Sequence, residues 1–182
     1  MIMEYDFKDG KGPVPASRHK NGGGWVANSA TVDVRCYIGP NAEVSDYAKV
    51  YGKALVSGNA WVSDYAKVYG SAKVSGNAWV YDDARVYGSA KVSGNALVFG
   101  NAEVYDYAWI SDYAWIYDYA RVYGSAEVYG KALVSGNARV FGDVRVYDNA
   151  WVFCNAEVYG NAWVYGSAKV SGNAKISEGM KI

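Results

Sequence analysis

From Gly23 to Glu178 the chain divides, without insertion or deletion, into 26 units of six residues. Typical units read NAWVSD, YAKVYG and SAKVSG. Position 2 is Ala in 23 of them, the exceptions being Gly24, Cys36 and Val144, and position 4 is Val or Ile in all 26. A fixed period this short makes each unit one strand of a solenoid, because a unit of six residues cannot bury an apolar face except against its neighbours. Apolar residues at 2 and 4 with mixed residues at 3 and 5 match the two faces of a strand. Gly or Asp at position 6, often followed by Asn, supplies the turn.

The tryptophans fix the number of units per coil. Trp25, Trp61, Trp79, Trp109, Trp115, Trp151 and Trp163 leave remainders of 7, 7, 7, 1, 7, 7 and 1 on division by 18, but scatter over four values on division by 24. The coil is therefore 18 residues, three hexads. The 26 hexads make between eight and nine coils, a rod about 40 Å long at a coil spacing of about 4.8 Å.

An aliphatic residue followed four places on by a small one resembles the hexapeptide-repeat, left-handed parallel β-helix, a single-stranded all-β solenoid. The resemblance covers residues 23–178. It implies a fold, and that fold hosts acyltransferases and inert spacers alike. The acyltransferases use a His base and substrate loops between coils. Here the only histidine, His19, precedes the first hexad, and no loop interrupts the series. A carbonic anhydrase type on the same fold needs three His around zinc, which one His cannot supply. No phosphate-binding Gly loop is present, since the glycines follow the turn period. Asp46, Asp64, Asp82 and Asp118 recur at corners and would stack in one column with gaps, the arrangement a calcium ladder needs, but the calcium-binding nonapeptide pattern is absent. We expect no metal and no cofactor, no catalytic residue and no enzyme activity. The units NAWVYG and SAKVSG, with the lead-in HKNGGGWVANSATV, are also similar to a group of bacterial and phage hexapeptide-repeat proteins, often named as transferases from fold alone. That likeness implies a β-helix and a prophage origin and carries over no site residue.

Residues 1–22 lie outside the repeat and hold Pro13 and Pro15 of the three prolines. We expect them to cap the first coil, because a bare β edge invites aggregation; a separate binding tail is the alternative. Only residues 179–182 follow the last hexad, so Lys175, Glu178 and Lys181 are expected to blunt that end with charge. The two cysteines, Cys36 and Cys154, lie more than six coils apart, about 30 Å, too far for a disulfide. Unpaired thiols and no signal peptide point to the cytoplasm. No span is long enough for a membrane helix. Formal net charge is zero, without the basic excess of a nucleic-acid binder.

Coil length sorts the outward positions into three faces. The first carries Trp25, Glu43, Trp61, Trp79, Leu97, Trp115, Leu133, Trp151 and Lys169 at position 3, beside Tyr81, Phe99, Tyr117 and Phe153 at position 5. The second carries Lys49, Lys67, Arg85, Glu103, Arg121, Arg139, Glu157 and Lys175 beside the ring column Tyr51, Tyr69, Tyr87, Tyr105, Tyr123, Phe141 and Tyr159. The third is mixed: Leu55, Lys73, Lys91, Trp109, Glu127, Arg145 and Trp163, with Ser57, Ser75, Ser93 and Ser111 beside the first four.

Rings stacked one coil apart stabilise neighbouring strands. Beside Lys and Arg they also suggest single-stranded nucleic acid. An unbroken ladder at about 4.8 Å leaves no gap for a base, and six cations against two carboxylates net only +4, so we expect no nucleic-acid role. An ice-binding face would need arrayed Thr, and Thr31 is alone there. The tryptophan column spans about 24 Å by about 10 Å, the size at which an exposed apolar patch signifies a partner. We expect a non-enzymatic interaction or structural module associating through that face, as a homodimer. The alternatives are a phage-encoded protein blocking a host protein such as a defence enzyme, and an acyltransferase relative without a recognisable site.

Overall fold

Alternation inside each hexad sends positions 2 and 4 into a narrow interior. In the computed structural model, which describes residues 3–177, the main core is one continuous stack of such side chains. From Cys36 to Val164 every position-2 and position-4 residue is buried, Ala48, Val50, Ile110 and Ile116 among them. Small Ala beside the corner and a branched residue mid-strand fill the interior layer by layer. Val144, in place of Ala, is accommodated at 0% exposure.

The strands form three sheets of 11, 9 and 8 strands. Within the repeat each strand pairs in parallel with the strand 18 residues away, as Lys67 does with Lys49 and Arg85. This is an all-β parallel β-helix with 18 residues per coil and about eight turns, and the described residues contain no helix. Hydrogen-bonded strands are mostly the two residues at positions 3 and 4, shorter than the four-residue alternation suggests. The backbone bonding between coils runs further. N–H groups at positions 1, 3 and 5 donate to the next coil, as in Lys49 to Ala66 (2.8 Å), Tyr51 to Val68 (3.1 Å) and Lys53 to Gly70 (2.7 Å).

Corners explain position 6. From Asp46 to Gly172 its residues take positive φ: Gly58 at 66°, Asp64 at 55°, Asp118 at 59° and Cys154 at 61°. Gly adopts this region freely, and Asp is among the side chains that tolerate it best. Asp also contributes an acceptor. Asp82, Asp112, Asp118 and Asp148 each accept, through Oδ2, the backbone N–H of the Gly one coil on, at 3.1 Å. These carboxylates serve the stack itself. Among the described residues no three His, Cys, Asp or Glu side chains gather as a metal site would require.

The lead-in forms two strands that no period announces. β1 (Met3–Tyr5) and β2 (Val14–Arg18) are an antiparallel hairpin, and β2 pairs antiparallel with β3 (Trp25–Ala27), the first strand of the tryptophan face. Phe7, Ala16 and Ala27 form a small second core there. The hairpin covers one of the three sheets. A second is covered by the next turn of chain, where Asn21 C=O accepts from Ile38 N–H and Gly24 N–H donates to Ile38 C=O. The third sheet ends on an uncovered strand, Thr31–Val32. Lys175 bonds Glu157 at 3.3 Å; Glu178, Lys181 and the tail 179–182 lie outside the described residues.

Candidate interaction surface

Strand register carries the tryptophan column directly. Trp61 pairs with Trp79, Trp79 with Leu97, Leu97 with Trp115, Trp115 with Leu133 and Leu133 with Trp151. The side chains lie across the sheet rather than standing off it. Trp61 Nε1 donates to Ser45 Oγ at 3.0 Å, and Trp151 Nε1 to Ser135 Oγ at 3.3 Å. Each indole thus shields a serine of the preceding coil, and Ser45 and Ser135 are buried. Trp61 meets Trp79 edge-on at 5.2 Å. Tyr81, Phe99 and Tyr117 stack beside them at 5.0 and 5.1 Å, and Trp151 leans on Phe153 at 4.3 Å. Trp79 and Trp115 remain 44% and 43% exposed, while Trp61, Leu97, Leu133 and Trp151 are half-buried.

Trp25 departs from the rest of its column. Its ring stacks on Tyr5 at 4.3 Å and the Arg18 guanidinium sits 4.2 Å from it. Tyr5 also donates to Glu43 Oε1 at 2.6 Å, and that bond pushes its phenol pKa up to about 12. The lead-in therefore occupies the first two positions of the column. The apolar run left open is Trp61 to Trp151.

On the second face the rings of Tyr51, Tyr69, Tyr87, Tyr105, Tyr123, Phe141 and Tyr159 form one continuous ladder. Successive centroids are 4.7 to 5.5 Å apart with planes within 12°. Partial burial raises the pKa of Tyr69, Tyr87 and Tyr105. The flanking charges neutralise each other one coil apart. Glu103 lies between Arg85 (3.3 Å) and Arg121 (3.8 Å), and Glu157 between Arg139 (3.9 Å) and Lys175 (3.3 Å). Among the described residues no ion pair holds Lys49 or Lys67. With its rings in contact, the ladder has no slot into which a base could stack.

Further aromatic order went unread in the sequence, although the same 18-residue interval marks it. Tyr129, Tyr147 and Tyr165 form a second ladder on the third face at 5.0 and 5.4 Å, and Trp109 there donates to Ser93 Oγ at 3.2 Å. Corner asparagines chain together as well, Asn59 to Asn77 to Asn95 at 2.9 and 3.0 Å. Cys36 is buried and Cys154 exposed, neither in a disulfide.

Residues 132–148 match a family model described as the YdcK beta solenoid repeat, a stretch about one coil long. Comparison with curated proteins and with solved structures finds no match. The matched stretch agrees with the β-helical fold and says nothing of a partner.

Proposed function

We propose that this β-helix is a rigid, non-enzymatic interaction module, and that the open run from Trp61 to Trp151 is where it associates, with a second copy as the partner. The observation that supports this most is the exposure of Trp79 and Trp115 on either side of half-buried Leu97. The β-helix does not need large apolar groups at position 3: the same position holds Lys49, Arg85 and Arg121 one face round. Burying a large apolar side chain is worth about 1.5–3 kcal/mol, and a few such residues at the centre of an interface can dominate its affinity. The column reads nearly the same in both directions, so two copies laid antiparallel would set Trp against Trp or Leu and close as a two-fold dimer. Its area is below the roughly 1,600 Å² of a standard interface, which suits a modest affinity. The unpaired thiols favour a reducing, cytoplasmic setting.

The test is the double substitution Trp79→Glu, Trp115→Glu, read by multi-angle light scattering with circular dichroism as the folding control. The dimer reading expects a wild-type mass that rises with concentration and a folded, monomeric variant. A wild type that stays monomeric at high concentration removes self-association and leaves the face to a foreign protein. An unfolded variant makes these tryptophans structural.

A further inference from the structure

Three indoles of the stack repeat one arrangement. Trp61, Trp109 and Trp151 each donate through Nε1 to the hydroxyl of a serine in the preceding coil, Ser45, Ser93 and Ser135, at 3.0, 3.2 and 3.3 Å. The indole leaves position 3, leans back over the coil before it and lies on the serine at position 5. Four positions frame such a ring: positions 3 and 5 of its own coil and of the preceding one. For Trp151 the frame is Leu133, Ser135, Trp151 and Phe153. Its ring bonds Ser135 and leans on Phe153, with centroids 4.3 Å apart.

On the third face the next frame after Trp109 has the same parts without the indole. Its members are Trp109, Ser111, Glu127 and Tyr129, with Glu127 at the position from which a tryptophan would lean back. These same four residues line a cavity of about 220 Å³. Each wall has a reason. Arg145, one coil on, bonds Glu127 Oε2 at 3.2 Å, which anchors and neutralises the carboxylate on the side away from Ser111. Tyr129 is the first rung of its ladder: one ring face stacks on Tyr147 at 5.0 Å, and one coil back its column holds only Ser111. Trp109 leans the other way, onto Ser93, and is 46% exposed. Among the described residues no hydrogen bond engages the Ser111 hydroxyl. Ser57 and Ser75 also lie under no indole, but their frames, built from Leu55, Lys73, Lys91 and serines, contain no ring.

We infer that this notch is a binding site for an uncharged indole, or a like N–H heteroaromatic ring, supplied from outside the chain. The bound ring takes the place that the chain's own indoles take elsewhere. Its N–H donates to Ser111 Oγ, as Trp151 Nε1 does to Ser135, and its face leans on Tyr129, as that of Trp151 does on Phe153. Trp109 closes the remaining side, and aromatic contacts of this kind favour offset or edge-on packing. Because Arg145 already balances Glu127, the ring brings no counter-charge. The cavity is smaller than the roughly 300–1,000 Å³ of pockets for drug-sized ligands, so it takes a single ring system. Free indole compounds and a tryptophan side chain of a partner protein share that ring. The inference is independent of the tryptophan face, which lies on another sheet.

The probe is a fluorine-labelled indole, titrated into the full chain and followed by fluorine NMR. The control is its N-methyl derivative, which cannot donate. The proposal expects the indole to bind about two- to tenfold tighter than the control, the worth of one hydrogen bond. Ser111→Ala should erase that difference by weakening the indole alone. Tyr129→Ser, which removes the ring wall, should weaken both compounds. Glu127→Trp, which supplies an indole from position 3 itself, should abolish binding of both while circular dichroism stays that of the wild type. If Glu127→Trp fails to fold, the two compounds compared in wild type and Ser111→Ala decide. Equal binding of the two compounds, indifference to Ser111→Ala, or binding retained in a folded Glu127→Trp overturns the proposal. A blocked glycine–tryptophan–glycine peptide distinguishes the sources of the ring. Tighter binding of free indole assigns the site to a small molecule, tighter binding of the peptide assigns it to a partner's tryptophan, and no binding of either overturns the site.

Discussion

Replacing Gly58 by Ala tests how tightly the corners are stacked. Gly58 has φ +66°, and a Cβ built on it would lie 2.6 Å from the carbonyl oxygen of Gly76 in the next coil. Gly166 occupies the same corner column at the C-terminal end, with φ +64° and nothing within 4 Å of its Cβ. The two share the left-handed backbone, which costs an L-residue about 1–2 kcal/mol, and differ in the clash, for which overpacking adds about 1–3 kcal/mol. Gly166→Ala should therefore lose about 1–2 kcal/mol and Gly58→Ala about 2–5 kcal/mol. A third variant separates strain from chemistry. Asp112 and Asp148 stand in this same column at φ 57° and 59°, each accepting the N–H of the Gly one coil on. Gly58→Asp should accordingly be more stable than Gly58→Ala by about 1 kcal/mol, the worth of a typical hydrogen bond. Urea midpoints at constant m, followed by tryptophan fluorescence and far-ultraviolet circular dichroism, give the order. If Gly166→Ala is as damaging as Gly58→Ala, the contact between stacked corners carries no weight. If Gly58→Asp is no better than Gly58→Ala, the carboxylate bond is idle.

Two further outcomes follow from burial and titration. Ile116→Ala, in the fully buried column, should lose about 2–5 kcal/mol in the same urea assay, whereas Trp115→Ser on the adjacent outward position should shift stability by less than about 1 kcal/mol; equal losses would contradict the assignment of inside and outside. The tyrosines bear on alkaline stability. Tyr5, at about 12, and ladder residues Tyr69, Tyr87 and Tyr105 have folded pKa values above the unfolded value near 10, so the neutral form belongs to the folded state. Their contribution is complete below pH 10 and is lost as pH rises above it, in the case of Tyr5 through about 12. Urea midpoints measured from pH 9 to 12 should decline, less steeply in Tyr5→Phe, and a flat profile would refute the assignment.

What could be read from the sequence was what repeats. Period, coil length, the inward Ala and Val or Ile, and the sorting of position 3 into faces are all repeated along the 26 hexads, so a few deviations such as Val144 do not obscure them. The hairpin of β1 and β2 occurs once, contains Pro15, and offers no alternation long enough to announce a strand. Side-chain posture was also beyond reach. Spacing places Trp61 on the outer face, but only the position of Ser45 reveals that the indole lies across the preceding coil and is half-buried. Trp25 has the same spacing as Trp61, yet Tyr5 and Arg18, distant in sequence, occupy its ring. At the corners, the sequence shows Asp and Gly as interchangeable turn residues; that the aspartates bond the next coil depends on a carboxylate rotamer that no period encodes.

The unbroken 18-residue register makes the length of this rod adjustable only in steps. Excising three consecutive hexads shortens it by one coil, about 4.8 Å, and returns every downstream residue to its own face. Excising a single hexad leaves each strand intact yet turns everything beyond the cut by a third of a revolution. Trp115, Leu133 and Trp151 would then continue columns other than that of Trp61 and Trp79. Gene changes in such a chain are therefore unequal: whole-coil duplications and losses alter reach while preserving the surface, and partial ones keep the fold while scrambling it.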